Sequence, residues 1–133
     1  MAEAQRLQHN GDFAAARQRY AALIEADPLS PEAAEARWRL GHCYWQEGQL
    51  TEAYVALNLA RGQIPADDLP AEVDFWIGDA LEQIGNPAAA VQAYRAYLAR
   101  DNRLAGLINL RIGRLLLQGD DQDAAVAALQ AAV

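Results

Sequence analysis

Small and large apolar residues recur along the chain with a fixed period. Gly41, Gly78 and Gly113 each follow a large aliphatic residue, and they are separated by 37 and 35 residues. A larger residue stands three positions after each glycine: Tyr44, Leu81 and Leu116. Self-similarity at a period of about 20–50 residues indicates a solenoid built from repeated supersecondary units.

Alanines recur with nearly the same period as these glycines. The two series are called here the glycine register and the alanine register. Ala16, Ala53, Ala90 and Ala125 recur at intervals of 37, 37 and 35 residues, and four positions after each stands a larger residue: Tyr20, Leu57, Tyr94 and Leu129. Residues four apart share one face of a helix, so the alanine lets a neighbouring helix approach and the larger residue fills the gap. Because glycine inside a helix costs about 1 kcal/mol relative to alanine, three glycines in register indicate close packing between helices.

Proline and glycine positions set the expected helix boundaries. Ser30-Pro31 is typical of an N-cap followed by a first-turn proline, and Asp68-Leu69-Pro70 has the same character. Four glycines precede alanine-rich segments and mark turns: Gly11, Gly48, Gly85 and Gly119. The pattern predicts eight helices, at 2–10, 12–26, 31–47, 50–63, 69–84, 87–100, 103–118 and 121–132, and therefore an all-α fold.

The repeating segments resemble the tetratricopeptide repeat (TPR) family of bacterial type. The match begins with GDFAAARQRYAALIEADP at 11–28 and continues through 40–65, 77–101 and 112–133. The resemblance implies a right-handed α-solenoid of about four helix-turn-helix units in one array over 1–133. Its units would be approximately 1–30, 31–67, 68–102 and 103–133, with the first and last incomplete.

Two features depart from the family pattern. Where relatives usually place a tryptophan four residues before the first-helix glycine, this chain has Arg37, Asp74 and Asn109. The period is also longer than the usual 34 residues of the family. Both features bear on the fine geometry of the binding groove and leave the fold expectation unchanged.

Charge and cysteine content exclude several classes of function. A formal net charge of −7 and a pI near 4.7 argue against nucleic acid, whose binding needs clustered lysine and arginine. No apolar run reaches the roughly 20 residues of a membrane span, and the first residues lack the pattern of a leader. The compartment stays open: cytoplasm, or bacterial cell envelope if a leader has been removed. Cys43, the single cysteine, is expected to be a buried core residue.

The TPR resemblance implies a binding groove lined by the first helix of each unit, which would hold a protein or peptide partner. Carried over position by position, the candidate groove residues are Trp38, Arg39, His42, Trp45, Phe75, Trp76, Asp79, Arg111 and Arg114, with Glu35 beside them. Aromatic and arginine side chains are enriched at binding hot spots. The alternative is that the aromatic residues belong to the core and that the arginines pair with acids on the adjacent helix.

No catalytic motif accompanies this pattern, so the chain is not expected to be an enzyme. His9 and His42 are far apart in sequence, and no nucleophile elbow, metalloprotease helix or phosphate-binding loop occurs. Asp120, Asp121 and Asp123 lack the central glycine and distal glutamate of a calcium-binding loop, so they are expected to cap the last helix. The basic and amide residues of a carboxylate clamp are also missing, and no cofactor or metal is expected.

Three functional hypotheses remain. The leading one is an interaction scaffold that holds a protein partner. An accessory helical region of a larger cell-envelope protein, such as a soluble lytic transglycosylase, is the second, and an architectural spacer is the third. Val126, Leu129 and Val133 form an apolar stripe at helical spacing, which predicts self-association through the terminal helix of what we expect to be a fragment of a longer solenoid.

Overall fold

A computed structural model describes residues 1–118 and 122–132, and within these ranges the regular structure is entirely helical. The helices are α1 (Ala2–His9), α2 (Phe13–Ala26), α3 (Pro31–Gln46), α4 (Leu50–Gln63), α5 (Glu72–Ile84), α6 (Pro87–Arg100), α7 (Ala105–Gln118) and α8 (Gln122–Ala131). A short 3₁₀ helix at Ala66–Asp68 follows α4. The all-α prediction and the eight helical segments are confirmed.

Two helices begin later than the sequence pattern predicted. α5 starts at Glu72 and not near residue 69, because Leu69 is extended (φ −100°, ψ 133°), the conformation favoured before a proline. α7 starts at Ala105 and not at residue 103. There the Asp101 Oδ1 accepts a hydrogen bond from the Arg103 backbone N–H at 3.0 Å, which holds the chain in a turn.

The start of α3 and three turns use the residues that the sequence indicated, whereas the helix start expected at Asp68-Leu69-Pro70 is wrong because these residues precede α5. The Ser30 hydroxyl accepts a hydrogen bond from the Ala33 N–H at 3.0 Å, with Pro31 in the first turn of α3. Asn86 caps α6 in the same way, through the Ala89 N–H at 3.3 Å. The turns between paired helices contain glycines with left-handed backbones, at φ 86° for Gly11, 78° for Gly48 and 99° for Gly85. Gly119 lies outside the described residues.

The glycine and alanine registers are sites of close helix packing. A Cβ added to Gly41 would lie 2.6 Å from Leu57 Cγ, and one added to Gly113 would lie 2.6 Å from Leu129 Cγ. The equivalent Cβ at Gly78 would lie 2.7 Å from the Tyr94 ring. The alanines of the second register are all fully buried: Ala16, Ala53, Ala90 and Ala125. The glycines of α3, α5 and α7 therefore each pack onto the large residue of the following second helix, which is the close helix packing that the repeat pattern predicted.

The chain divides into two compact units, residues 1–73 and 74–133. In the first, α1 to α4 pack in chain order around a cluster that includes Ala4, Tyr20, Ala36 and Cys43. In the second, α5 packs on α6 through Gly78 and Tyr94, and α7 packs on both α6 and α8. The largest buried side chains of the second unit are Ile77, Tyr94, Ile108 and Ile112.

Candidate first-helix binding faces

In the first unit, a buried glutamine joins the first helices of successive repeats. Gln8 of α1 is 8% exposed, and its Oε1 accepts a hydrogen bond from the Tyr20 hydroxyl at 2.7 Å. Its Nε2 donates to Gln46 Oε1 at 2.7 Å and lies 3.1 Å from His42 Nδ1. α1 is thereby tied to α3 along the face where the sequence placed a groove.

His42 occupies the centre of this face as a neutral ring. Burial, with the nearby Arg39 charge adding to it, lowers the pKa of His42 to about 4. A neutral ring accepts through the Nδ1 that faces the Gln8 amide and keeps its proton on Nε2. The ring also stacks on Trp45, with centroids 5.7 Å apart and planes 23° apart.

Arg39 forms the basic part of the same face. Its guanidinium lies 4.5 Å from the centre of the Trp38 ring, and its Nη2 is 3.5 Å from Glu35 Oε1. A side-chain hydrogen bond also joins the Tyr20 hydroxyl to Arg39. Beside it opens a depression of about 420 Å³, called here the α1/α3 depression, lined by Gln5, Gln8, His9, Phe13, Arg39, His42 and Gln46.

The second unit repeats the tyrosine-centred arrangement with charged groups. The Tyr94 hydroxyl donates to Glu82 Oε1 at 2.7 Å and accepts from Arg111 Nη1 at 3.1 Å. Arg111 also pairs with Asp79 at 3.1 Å and lies 5.5 Å from the Phe75 ring centre. Burial, followed by the hydrogen bond to Glu82, raises the pKa of Tyr94, so this hydroxyl stays protonated at neutral pH.

The two networks occupy equivalent repeat positions. Tyr20 and Gln8 are 12 residues apart, as are Tyr94 and Glu82, and each pair joins a second helix to the end of its own first helix. Glu82 is one of the groove-facing positions that the TPR resemblance implies, and Tyr20 and Tyr94 were expected only as packing residues. Gln8 was not among the sequence candidates. The signal for these pairs was a polar residue at a constant distance before each tyrosine, but the period alone does not show which polar residues meet.

The candidate groove residues lie on these two first-helix faces. On α3, Trp38, Arg39, His42 and Trp45 are all half-buried. In the second unit the half-buried candidates are Phe75, Trp76, Asp79 and Arg111, and Arg114 is exposed. Half-burial places the aromatic residues between the two interpretations of the sequence, since each residue is partly covered and partly exposed. Arg111 pairs with an acid on α5, which is the alternative that the sequence left open for it.

Cys43 and the acidic residues near the last turn are the other groups that the sequence considered for chemistry. Cys43 is fully buried, and burial raises the pKa of its thiol to about 12, which is the environment of a core residue. The described residues bring together no group of three or more histidine, cysteine or carboxylate side chains suited to a metal ion. No helix among them is both long and apolar enough to cross a membrane. Asp120, Asp121 and the side chain of Asp123 lie outside the described part of the structure.

A family model described as tetratricopeptide repeat matches residues 1–68, 59–105 and 75–133, which together span the chain. A crystal structure of MamA is similar with a TM-score of 0.81 and 23% identity, and the match covers 99% of this chain and 73% of that one. The C-terminal part of a TPR repeat-containing protein from Cytophaga hutchinsonii matches with a TM-score of 0.80, 19% identity, and coverage of 99% and 50%. No curated protein matches the sequence. At these identities the likeness shows the fold, an α-solenoid of helical repeats, and confirms that part of the prediction.

Proposed function

The chain belongs to the tetratricopeptide repeat family of protein-interaction scaffolds, and we propose that it binds an extended segment of a protein partner on its first-helix faces. Repeats of this class present such surfaces to peptides and helices. The observation that carries the proposal is the α1/α3 depression of about 420 Å³, lined by polar side chains, the basic Arg39 and the aromatic Phe13.

The α1/α3 depression combines preorganised polar groups with partly exposed aromatic surface. Gln8 holds His42 and Gln46 in place through hydrogen bonds of 3.1 and 2.7 Å, so little side-chain entropy remains to be lost when a ligand binds. Arg39 adds a half-buried guanidinium that lies over the Trp38 ring and next to Glu35. A backbone carbonyl or carboxylate of the partner would accept a charge-assisted hydrogen bond from this guanidinium.

On the first-helix face of the second unit, the two candidate arginines differ in how accessible their charges are. Arg111 already binds Asp79 and the Tyr94 hydroxyl. Its main contribution is therefore to hold this surface in place, and its charge is already paired. Arg114, one turn further along α7, is exposed and supplies the accessible cation of this face. We expect the two faces to contribute separately to binding.

Selection of peptides from a random library displayed on phage tests the proposal, with the purified protein as bait. We expect selected peptides to lose about 5- to 30-fold in affinity with Arg39→Ala, and less with Arg114→Ala, because truncating a hot-spot arginine costs about 1–2 kcal/mol. Arg95→Ala is the matched control, since Arg95 is exposed on α6, a second helix. Circular dichroism of each variant shows whether the fold is retained.

Two outcomes would count against the proposal. One is a library that yields no enrichment over an unrelated bait. The other is a set of selected peptides that bind Arg39→Ala, Arg114→Ala and Arg95→Ala equally well. A role as an accessory region of a cell-envelope enzyme stays a separate hypothesis, tested by deleting these repeats from the parent enzyme and measuring its activity.

A further inference from the structure

A second depression in the first unit has a distinct chemical character. It encloses about 640 Å³ and is called here the acidic pocket. Its walls come from the start of α3 and from the segment after α4, and they are formed by Pro31, Ala34, Glu35, Trp38, Asp67, Asp68, Leu69 and Pro70. Trp38 and Glu35 belong to the candidate first-helix face, so the pocket extends that face towards the beginning of α3.

The charge of the pocket is one-sided. Glu35, Asp67 and Asp68 contribute three carboxylates, and no basic side chain lines the walls. Asp67 and Asp68 are exposed and form no ion pair within the described residues. Glu35 Oε1 lies 3.5 Å from Nη2 of Arg39, a residue that does not line the pocket, and 40% of the Glu35 side chain is exposed to solvent. Grouped carboxylates above an apolar floor attract a cation and make the local potential negative.

Trp38 supplies a second attraction for the same kind of group. An indole ring attracts a guanidinium or ammonium group over its face, and in this structure Trp38 already accepts the guanidinium of Arg39 at 4.5 Å. Arg39 itself does not line the acidic pocket, whereas Trp38 does, so part of the Trp38 side chain is available to a group that enters the pocket.

The corresponding connection of the second unit lacks this surplus of acid. Arg100 ends α6, and the segment that follows carries Asp101 and Arg103, with Asp101 bound by the Arg103 Nε at 3.0 Å. The Arg103 hydrogen bonds lower the pKa of Asp101 to about 2. The carboxylate of Asp101 is thus neutralised by the neighbouring Arg103, whereas Asp67 and Asp68 in the first unit have no such partner.

We infer that the acidic pocket receives an arginine side chain of the partner segment, flanked by apolar residues that contact Trp38 and Leu69. The inference rests on the proposed function and adds to it a chemistry for the partner: a basic, partly apolar stretch of protein chain. The guanidinium group meets the carboxylates of Asp67 and Asp68 and the Trp38 ring, and the pocket's apolar walls take the neighbouring side chains.

The test uses capped synthetic peptides of alanine and leucine with two central residues that are either arginine or glutamine. Binding is followed by the indole N–H signal of Trp38 in proton-nitrogen NMR spectra, assigned from Trp38→Phe. We expect the arginine peptide to shift this signal and the glutamine peptide to leave it in place. Added salt should weaken the arginine complex, since exposed charge pairs are screened.

Variants of the chain distinguish the effect of the pocket carboxylates on binding from the effect of the net charge of the protein. Asp67→Asn/Asp68→Asn should lower the affinity for the arginine peptide about tenfold, because two exposed charge contacts are lost. Asp67→Glu/Asp68→Glu should retain most of the binding. Glu25→Gln/Glu52→Gln removes the same number of charges from exposed sites on α2 and α4 and should leave the affinity unchanged.

The outcomes distinguish this inference from the proposed function. Equal binding of the arginine peptide to Asp67→Asn/Asp68→Asn and to the native chain would overturn the inference, as would equal binding of the glutamine peptide. Failure of the arginine peptide to bind at millimolar concentration would also overturn it. In each case the phage selection independently decides whether the first-helix faces bind peptides at all.

Discussion

At the residue scale, three glycines set the distance between paired helices. Gly41 is the clearest case, because an added Cβ would lie 2.6 Å from Leu57 Cγ and 3.1 Å from the Leu57 backbone nitrogen. The methyl group of an alanine would collide with the branch point of a fully buried side chain and with main chain that cannot move alone. Gly62 on α4 offers the opposite situation, with no atom within 4 Å of an added Cβ.

We therefore expect Gly41→Ala to lower the free energy of unfolding by about 1–2 kcal/mol, as overpacking outweighs the gain in helix propensity. Gly62→Ala should instead raise it by about 0.5 kcal/mol, from propensity alone. Chemical denaturation followed by circular dichroism measures both. Changes of the same sign in the two variants would contradict the packing role assigned to the glycine register.

His42 makes stability depend on pH. Its folded pKa of about 4 is below the value of about 6.5 expected in the unfolded chain. Between these values the unfolded state binds a proton that the folded state does not. The contribution of the neutral ring is thus fully present above about pH 6.5 and is lost as the pH falls towards 4.

We expect the native chain to lose more stability than His42→Gln when the pH is lowered from about 7.5 to about 5. Glutamine keeps a polar group for the Gln8 amide but does not titrate. The measurement is the free energy of unfolding of both proteins at the two pH values, with an NMR titration of the His42 ring in the native chain. Identical pH dependence of the two proteins, or a ring pKa near 6.5, would contradict the burial of His42.

At the scale of elements, Tyr94 and Arg111 tie α5, α6 and α7 together. The Arg111–Asp79 ion pair has a distance of 3.1 Å, and its side chains are 30% and 15% exposed. A partly screened pair of this kind that also shares a tyrosine hydroxyl is worth more than a surface pair. The second unit therefore gains cohesion between successive first helices from polar contacts as well as from its core.

A double-mutant cycle measures that contribution. We expect Asp79→Ala and Arg111→Ala to couple by about 1 kcal/mol in unfolding free energy, because they lie in contact within one network. Asp79→Ala combined with Arg95→Ala is the control, and it should show additive effects. A coupling energy indistinguishable from zero for the first pair would mean that the network does not stabilise the unit.

The sequence predicted elements better than it predicted their contacts. The glycine and alanine registers recur because close packing admits only small residues at those places, so the number and pairing of the helices follow from the repeat pattern. The α5 start was misplaced because Leu69, preceding a proline, is extended. The Gln8 bonds to His42 and Gln46 join residues 34 and 38 positions apart, and such pairs depend on how successive repeats are rotated against each other, which a period does not specify.

At the scale of the whole molecule, self-association stays a prediction. Of the apolar stripe expected on the last helix, Leu129 packs on Gly113, Val126 is 52% exposed, and Val133 lies outside the described residues. Val126 is thus the member that presents apolar surface. Its counterpart in the previous repeat, Val91, is only 4% exposed.

We expect Val126→Lys to reduce any concentration-dependent association seen by sedimentation velocity, since burying a lysine charge in an apolar contact is unfavourable. Val55→Lys is the matched control, because Val55 is 58% exposed on α4 and is not part of the stripe. Equal effects of the two substitutions, or association that persists in Val126→Lys, would show that the α8 surface is not the contact.

The most direct test of the central claim is an NMR map of where a library-selected peptide binds. The account predicts that backbone amide shifts concentrate on first helices, above all around Arg39, His42 and Gln46 on α3. Residues on the outward sides of α2 and α4 should change little. Shifts that concentrate on the second helices and leave α3 unchanged would contradict the assignment of the first-helix faces as the binding surface.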